Sequence, residues 1–156
     1  TITFNGGLLR YSGASDVADL FARGANPRVV TRVGSGGARF DITANRTVTL
    51  SDALVPVGAS DGGLEKWGGG TLILSGNNTF AGPIVVREGV LHGSSDLPFG
   101  AAKHFTVRAG ATIVGGISLA GPGSGWFGAG RVEGDLVVSS SAMDLTEGPM
   151  TVTQSV

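Results

Sequence analysis

The stretch GGGTLILSGNNTFAG, residues 68–82, places a short apolar run between two segments rich in glycine and asparagine. Glycine and asparagine adopt positive φ angles at little cost, so they turn the chain where other residues would be strained. A run of four to six residues rich in Val, Ile, Leu and Thr, bounded by such turn residues, is typical of a β-strand. The stretch therefore predicts one short strand between two sharp corners.

The same pattern recurs along the whole chain. Comparable strands return about every 20 to 25 residues, and strand repeats of that period indicate a solenoid. In a parallel β-solenoid the inward residues form continuous apolar columns and the corners carry glycine and asparagine. The predicted strands are Thr1–Phe4, Leu8–Tyr11, Arg28–Val33, Arg39–Thr43, Thr47–Ser51, Thr71–Ser75, Ile84–Arg87, Val90–His92, Phe105–Arg108, Thr112–Val114, Ile117–Leu119, Arg131–Glu133, Leu136–Ser139 and Met150–Thr153.

One segment departs from this pattern. SDVADLFARGA, residues 15–25, spaces Val17, Leu20 and Phe21 three and four apart, as on one face of a helix. Ser15 or Asp16 supplies an N-cap. We therefore expect a helix of one or two turns, inserted between strands.

Composition limits the function. The chain has 156 residues, enough for one domain, with 28 glycines and 41 % hydrophobic residues, so it can form a core. Basic and acidic residues number 11 and 12, so no basic excess favours nucleic acid. There is no cysteine, which excludes disulfides and thiolate chemistry. The chain begins and ends in strand-like sequence, and we interpret it as a segment of a larger protein or a processed one.

The most specific stretch is GLEKWGGGTLILSGNNTFAGPIVVREGVL, residues 63–91. It resembles the passenger-associated transport repeat of bacterial autotransporters, also called the autotransporter-associated β-strand repeat, whose pattern runs approximately G-L-x-K-x-G-x-G-T-L-x-L-S-G-x-N-T-Y-x-G-x-T-x-V-x-x-G-x-L. Phe80 stands for the usual Tyr. The flanking segments resemble the family more loosely.

The resemblance implies an all-β fold, a right-handed parallel β-helix, here with the one short helical insertion. It also implies a passenger exported by a Gram-negative bacterium, secreted or displayed at the cell surface, with a separate C-terminal outer-membrane β-barrel in the parent chain. In the family the repeat is associated with secretion and folding and is not catalytic. The expected function is a stalk and folding element, with an adhesive role as the alternative.

Several residues make this repeat more apolar than the family pattern. Ile84 and Val85 stand where the family often has Gly or Thr, and Trp67 occupies a variable position. Either the insertion or an adjacent coil covers these side chains, or they form an exposed surface for another chain or a ligand. The partners considered are a host surface protein, a glycan, or another copy joined end to end through open sheet edges.

Trp126 and Phe127 are adjacent in the glycine-rich segment GSGWFG, residues 123–128. This segment matches G-x-G-x-x-G, but strand-like sequence follows it, whereas a dinucleotide site requires a helix there. We expect a corner or loop. The two aromatic side chains either cover the core or form a surface for sugar or protein.

An enzyme is the remaining alternative, because carbohydrate-active enzymes often use β-helices. Such enzymes need clustered carboxylates, whereas the acidic residues here are scattered. Glu133 and Asp135 have the same strand parity and could share a strand face, but a solvated face or a corner pair explains them. His92 and His104 lack the further ligands of a zinc site. No catalytic, cofactor-binding or metal-binding residue is predicted.

Overall fold

The computed structural model describes residues 1–21, 29–120, 122–139, 142–145 and 148–153, and within these ranges it contains strands and no helix. None of the described segments forms a helix long and apolar enough to span a membrane. The strands are β1 (Ile2–Phe4), β2 (Leu8–Tyr11), β3 (Thr31–Val33), β4 (Ala38–Ile42), β5 (Thr47–Leu50), β6 (Leu54–Pro56), β7 (Leu64–Trp67), β8 (Thr71–Leu74), β9 (Ile84–Val86), β10 (Val90–Gly93), β11 (His104–Val107), β12 (Thr112–Val114), β13 (Ile117–Ala120), β14 (Gly125–Phe127), β15 (Arg131–Glu133), β16 (Leu136–Ser139), β17 (Ala142–Asp144) and β18 (Thr151–Thr153).

The strands form parallel sheets that stack coil upon coil. The longest has seven strands, in the order β2-β4-β7-β9-β11-β14-β17, and a second has six, in the order β5-β8-β10-β12-β15-β18. Smaller sheets are β1-β3-β6 and β13-β16. Each sheet follows chain order, so every coil adds one strand to each long sheet. This arrangement is a parallel β-solenoid, as the sequence predicts.

The core consists of apolar columns that run across the coils. In the six-stranded sheet, Leu72, Leu91, Ile113 and Val132 are in register and fully buried. Neighbours in this column lie 19, 22 and 19 residues apart, close to the predicted period. Successive strand residues point to opposite faces, so every second residue enters the column and the others face outward.

The predicted helix over residues 15–25 is wrong for its described part. Residues 15–21 are not helical, and 22–25 lie outside the described residues. Instead, Val17 forms a parallel bridge with Val48 of β5, donating its N–H to the Thr47 carbonyl and accepting from the Thr49 N–H. The Leu20 N–H donates to the Thr49 carbonyl. The open edge of β5 therefore takes the backbone groups that a helix would bond internally.

The glycine-rich segment at residues 123–128 is also different from the expectation. It contains strand β14, which pairs in parallel with β11 and with β17. Its apolar pair Trp126–Phe127 lies between glycines that signal a turn, so local sequence indicated a loop. The neighbouring strands supply hydrogen-bonding partners, and this tertiary context overrides local propensity.

Candidate interaction surface

Two of the residues predicted to form an interaction surface lie in the core. Trp126 and Ile84 are fully buried, in a column of the seven-stranded sheet with Leu64 and Phe105. The Trp126 indole Nε1 donates to the Gly128 carbonyl oxygen at 3.0 Å, which satisfies its one polar atom inside the core. These two side chains therefore pack inside the core and do not form part of an outer surface.

The other three lie on the outer face of the seven-stranded sheet. Val85 is half-buried, in register between Glu65 and Thr106. Phe127 is half-buried and stacks on His104, with ring centroids 6.4 Å apart. Trp67, at the end of β7, is 36 % exposed. They are separated along the solenoid and do not form one continuous apolar patch.

Ion pairs beside Trp67 connect β4 and β7 with Arg87, which directly follows β9. The Arg87 guanidinium lies over the Trp67 ring, 4.4 Å from its centroid. Arg87 also donates from Nε to Glu65 Oε1, and Arg39 Nε forms an ion pair with Glu65 Oε2 at 3.2 Å. One carboxylate therefore holds two guanidinium groups. We call Arg39, Glu65 and Arg87 the arginine cluster.

A further ion pair lies beside the arginine cluster. Arg10 on β2 donates from Nε to Asp41 Oδ2 on β4 at 2.7 Å. Arg10, Arg39 and Arg87 all contact their carboxylate partners through Nε. Within the described part of the chain, their terminal Nη groups make no hydrogen bond. Exposed ion pairs contribute little to stability, and the partly exposed side chains of Arg10, Arg39 and Arg87 can also contact a ligand.

A shallow cleft of about 130 Å³ adjoins the arginine cluster. Arg39 and Glu65 form its charged part, and Pro83 and Val85 form its apolar part. The rest of the lining consists of the corner and strand residues Gly36, Gly37, Ala38, Gly62 and Leu64.

Sequence reasoning missed the role of Lys66, a fully buried lysine. Its Nζ donates to the carbonyl oxygens of Trp67 at 2.8 Å, Gly68 at 2.7 Å and Glu88 at 3.3 Å. Burial lowers the pKa of Lys66 to about 8, and the nearby Asp41 and Glu88 carboxylates oppose this shift. Strand alternation was the available signal, because Lys66 has the same parity as the buried Leu64.

Asn78 and Asp61 make similar connections. The buried Asn78 accepts from the Leu54 N–H at 2.7 Å and donates to the Pro98 carbonyl at 2.5 Å. Asp61 accepts from the backbone N–H groups of Gly63, Ala81 and Gly82 at 2.8 to 2.9 Å. Both side chains therefore link the backbone of successive coils where strand pairing is interrupted.

The described residues gather no group of three or more His, Asp or Glu side chains that could hold a metal ion. Glu65 is bound between two arginines, and Glu133 pairs with Arg131 at 3.0 Å. Such pairing suits binding of a charged ligand more than general acid–base chemistry, which needs a carboxylate with a shifted pKa facing a substrate.

These features define a parallel β-solenoid whose coils are joined by buried polar side chains. Residues 64–92, here called the repeat segment, match the family model of the passenger-associated-transport-repeat, which confirms the resemblance found in the sequence. The chain is also 39 % identical, over 83 residues that make up 51 % of its length, to the adhesin BmaC autotransporter of Brucella suis biovar 1 (strain 1330). The chain spans about 2 % of that relative's length. No solved structure matches the chain.

Proposed function

We propose that this chain is a stalk segment of a secreted or surface-displayed autotransporter passenger of a Gram-negative bacterium. We further propose that its repeat segment promotes folding during secretion. The family match at residues 64–92 and the likeness to an autotransporter adhesin support this assignment. A rigid stack of coils suits a spacer whose properties are length and stiffness.

One observation carries the proposal: the polar side chains in and next to the repeat segment bond to the backbone of neighbouring coils. Lys66 reaches the Glu88 carbonyl, Asn78 reaches Leu54 and Pro98, and Asp61 reaches Ala81. A catalytic or ligand-binding residue would present its polar atoms to a substrate. These atoms are instead used to hold one coil on the next, which favours a mechanical role.

The stacked arrangement also suggests how secretion and folding are coupled. Each finished coil presents a row of backbone N–H and C=O groups to the next coil, so folding can propagate along the stack. The free energy comes from apolar burial and strand pairing, and no energy source outside the cell is required. We expect the repeat segment to be a favoured starting point, because its coils are linked by side chains as well as by strands.

Surface display tests this proposal. Residues 1–156 are joined ahead of an autotransporter β-barrel, the partner that the parent chain is proposed to contain, and display is measured by flow cytometry of an N-terminal tag. Deleting residues 64–92 should abolish display. Asn78→Ala should reduce it, while Asn77→Ala at the exposed neighbouring position serves as the control. Normal display of the deletion variant would contradict the proposal.

The proposal assigns no catalytic activity. Its enzymatic alternative, cleavage of a polysaccharide, predicts new reducing ends or unsaturated products when acidic polysaccharides are incubated with the chain. We expect none above a boiled-protein control. The adhesive alternative gains support from the likeness to an autotransporter that is itself an adhesin.

End-to-end association also belongs to the proposal. Within the described residues, β1 and β2 are the outermost strands at one end of their sheets, and open edges of this kind can pair. The chain should then form larger species as its concentration rises, measurable by light scattering.

A further inference from the structure

The arginine cluster has the properties of an anion-binding site. We propose that Arg39, Glu65 and Arg87, together with the adjoining cleft, bind the uronate carboxylate of an acidic glycan. This inference deepens the adhesive alternative and depends on surface display only as the setting in which the chain meets extracellular glycans. The binding itself is a property of the isolated chain.

Glu65 orients the two guanidinium groups. One of its carboxylate oxygens accepts from Arg87 Nε, and the other forms an ion pair with Arg39 Nε. The Glu65 side chain is only 16 % exposed, whereas those of Arg39 and Arg87 are 47 % and 36 % exposed. The terminal Nη groups are therefore left for a ligand. A guanidinium edge presents paired N–H donors that match the two oxygens of a carboxylate. Holding the side chains in advance reduces the entropy cost of binding.

Trp67 holds Arg87 from a second direction. The guanidinium lies over the ring at 4.4 Å from the centroid, in the range of a cation–π contact. Arg87 thus covers one face of the indole that a sugar ring would otherwise stack on. The tryptophan that the sequence offered as an adhesive residue acts here as a positioning residue for an arginine.

The cleft is large enough for one sugar residue of a longer ligand. Its volume of about 130 Å³ is below the roughly 300 Å³ at which pockets enclose a whole small molecule. Pro83 and Val85 offer apolar contact for the C–H face of a sugar, while Arg39 and Glu65 lie on the charged side. One uronate residue of a polysaccharide lying across the sheet satisfies both parts.

The backbone of the cleft disfavours an acidic peptide. The Ala38 N–H donates to the Gly63 carbonyl, and the Leu64 N–H donates to the Pro83 carbonyl. The cleft lies inside the sheet, where β7 pairs on both sides. A peptide therefore finds no free strand edge on which to add itself, so the backbone hydrogen bonds that would favour a peptide over a glycan are missing.

Titration calorimetry of the chain with hyaluronan oligosaccharides of defined length tests the proposal, because uronate carboxylates are their only anionic groups. We expect binding that weakens as salt increases. The double variant Arg39→Gln, Arg87→Gln should lose at least about tenfold in affinity. Arg131→Gln is the matched control, because Arg131 is 48 % exposed and pairs through Nε with Glu133 on the other sheet. It should bind like the unmodified chain.

Glu65→Gln separates a built site from general charge attraction. The substitution raises the net charge by one, so simple attraction of an anion would strengthen. If Glu65 orients the arginines, affinity should instead fall by about threefold to tenfold. Thermal melting of each variant verifies that it remains folded.

Several results would overturn the inference. These are absence of hyaluronan binding, equal binding by the double variant, equal binding of neutral chitin oligosaccharides, or preference for poly-glutamate. Stronger binding of a sulfated glycan than of hyaluronan would overturn the uronate assignment. Surface display of the double variant is measured in parallel. Normal display with lost binding supports both proposals, whereas failed display of the unmodified chain, with binding intact, contradicts the stalk proposal alone.

Discussion

Two neighbouring corners between the long sheets are built in different ways. In the repeat segment, Lys66 Nζ reaches the Trp67 and Gly68 carbonyls in one corner and the Glu88 carbonyl in the next. One coil further, residues 108–111 close the corner with a local turn, in which the Ala111 N–H donates to the Arg108 carbonyl at 2.9 Å. The first corner is held through a side chain, and the second by its own backbone.

The two corners place different demands on the sequence. A corner held by a buried lysine requires that residue, close-packed glycines and a fixed spacing between them. A corner closed by a local turn accepts many sequences, provided that the strands on either side remain apolar inside. This is consistent with a family match that ends at residue 92 while the same sheets continue to β18.

Glycine substitutions should give the largest difference between the two corners. Gly89 and Gly110 both have positive φ, +66° and +82°. A Cβ at Gly89 would overlap the carbonyl oxygens of Gly70 and Gly68, whereas at Gly110 it meets nothing within 4 Å. Gly89→Ala should therefore cost about 4 kcal/mol of unfolding free energy, and Gly110→Ala only about 1 kcal/mol. Urea unfolding measures both, and equal costs would remove the distinction.

The buried lysine makes stability depend on pH. Burial lowers the Lys66 pKa from 10.5 to about 8, so between these values the unfolded chain holds a proton that the folded chain has lost. The unfolding free energy should rise through this window, by about 3 kcal/mol, and level off above it. Lys66→Met should lack this rise in urea titrations at pH 7 to 10.5. The same rise in the variant would assign it to another group.

Asn78 tests the side-chain links away from the lysine. Asn78→Ala leaves the buried Leu54 N–H and the Pro98 carbonyl without their partner, which should cost about 2 kcal/mol. Asn77→Ala, at the exposed neighbour, should change stability by less than about 0.5 kcal/mol. Thermal unfolding of the two variants measures both changes in stability. Similar losses at both positions would mean that the loop, and not the Asn78 side chain, is responsible.

The solenoid could be predicted from sequence because its signals are local and repeated. Short apolar runs between glycines predicted most strands, and the motif at residues 63–91 indicated that these strands stack as a parallel β-helix. The errors came from contacts between distant segments. Residues 16–20 lie along β5 because β5 has an open edge, and no local pattern reports that edge.

The interaction surface was predicted less well for the same reason. Apolar character alone left core packing and exposure open for Trp126 and Ile84, and the structure places both inside the core. The arginine cluster joins β4 and β7 with Arg87, which follows β9, residues 22 or more positions apart. Their proximity follows from strand register, which the sequence constrains only once the coil length is known.

The smallest expected effect concerns ion pairs on the outer faces, again inside and outside the repeat segment. Arg87 contacts both Glu65 and the Trp67 ring, whereas Arg131 makes an exposed pair with Glu133. Arg87→Gln should cost about 1 kcal/mol, and Arg131→Gln less than about 0.5 kcal/mol. Adding salt should reduce the first cost only partly, because the contact with the ring survives screening better than an exposed ion pair. If the two variants were equally stable at every salt concentration, Trp67 would contribute nothing to holding Arg87, and the preorganisation on which glycan binding depends would be absent.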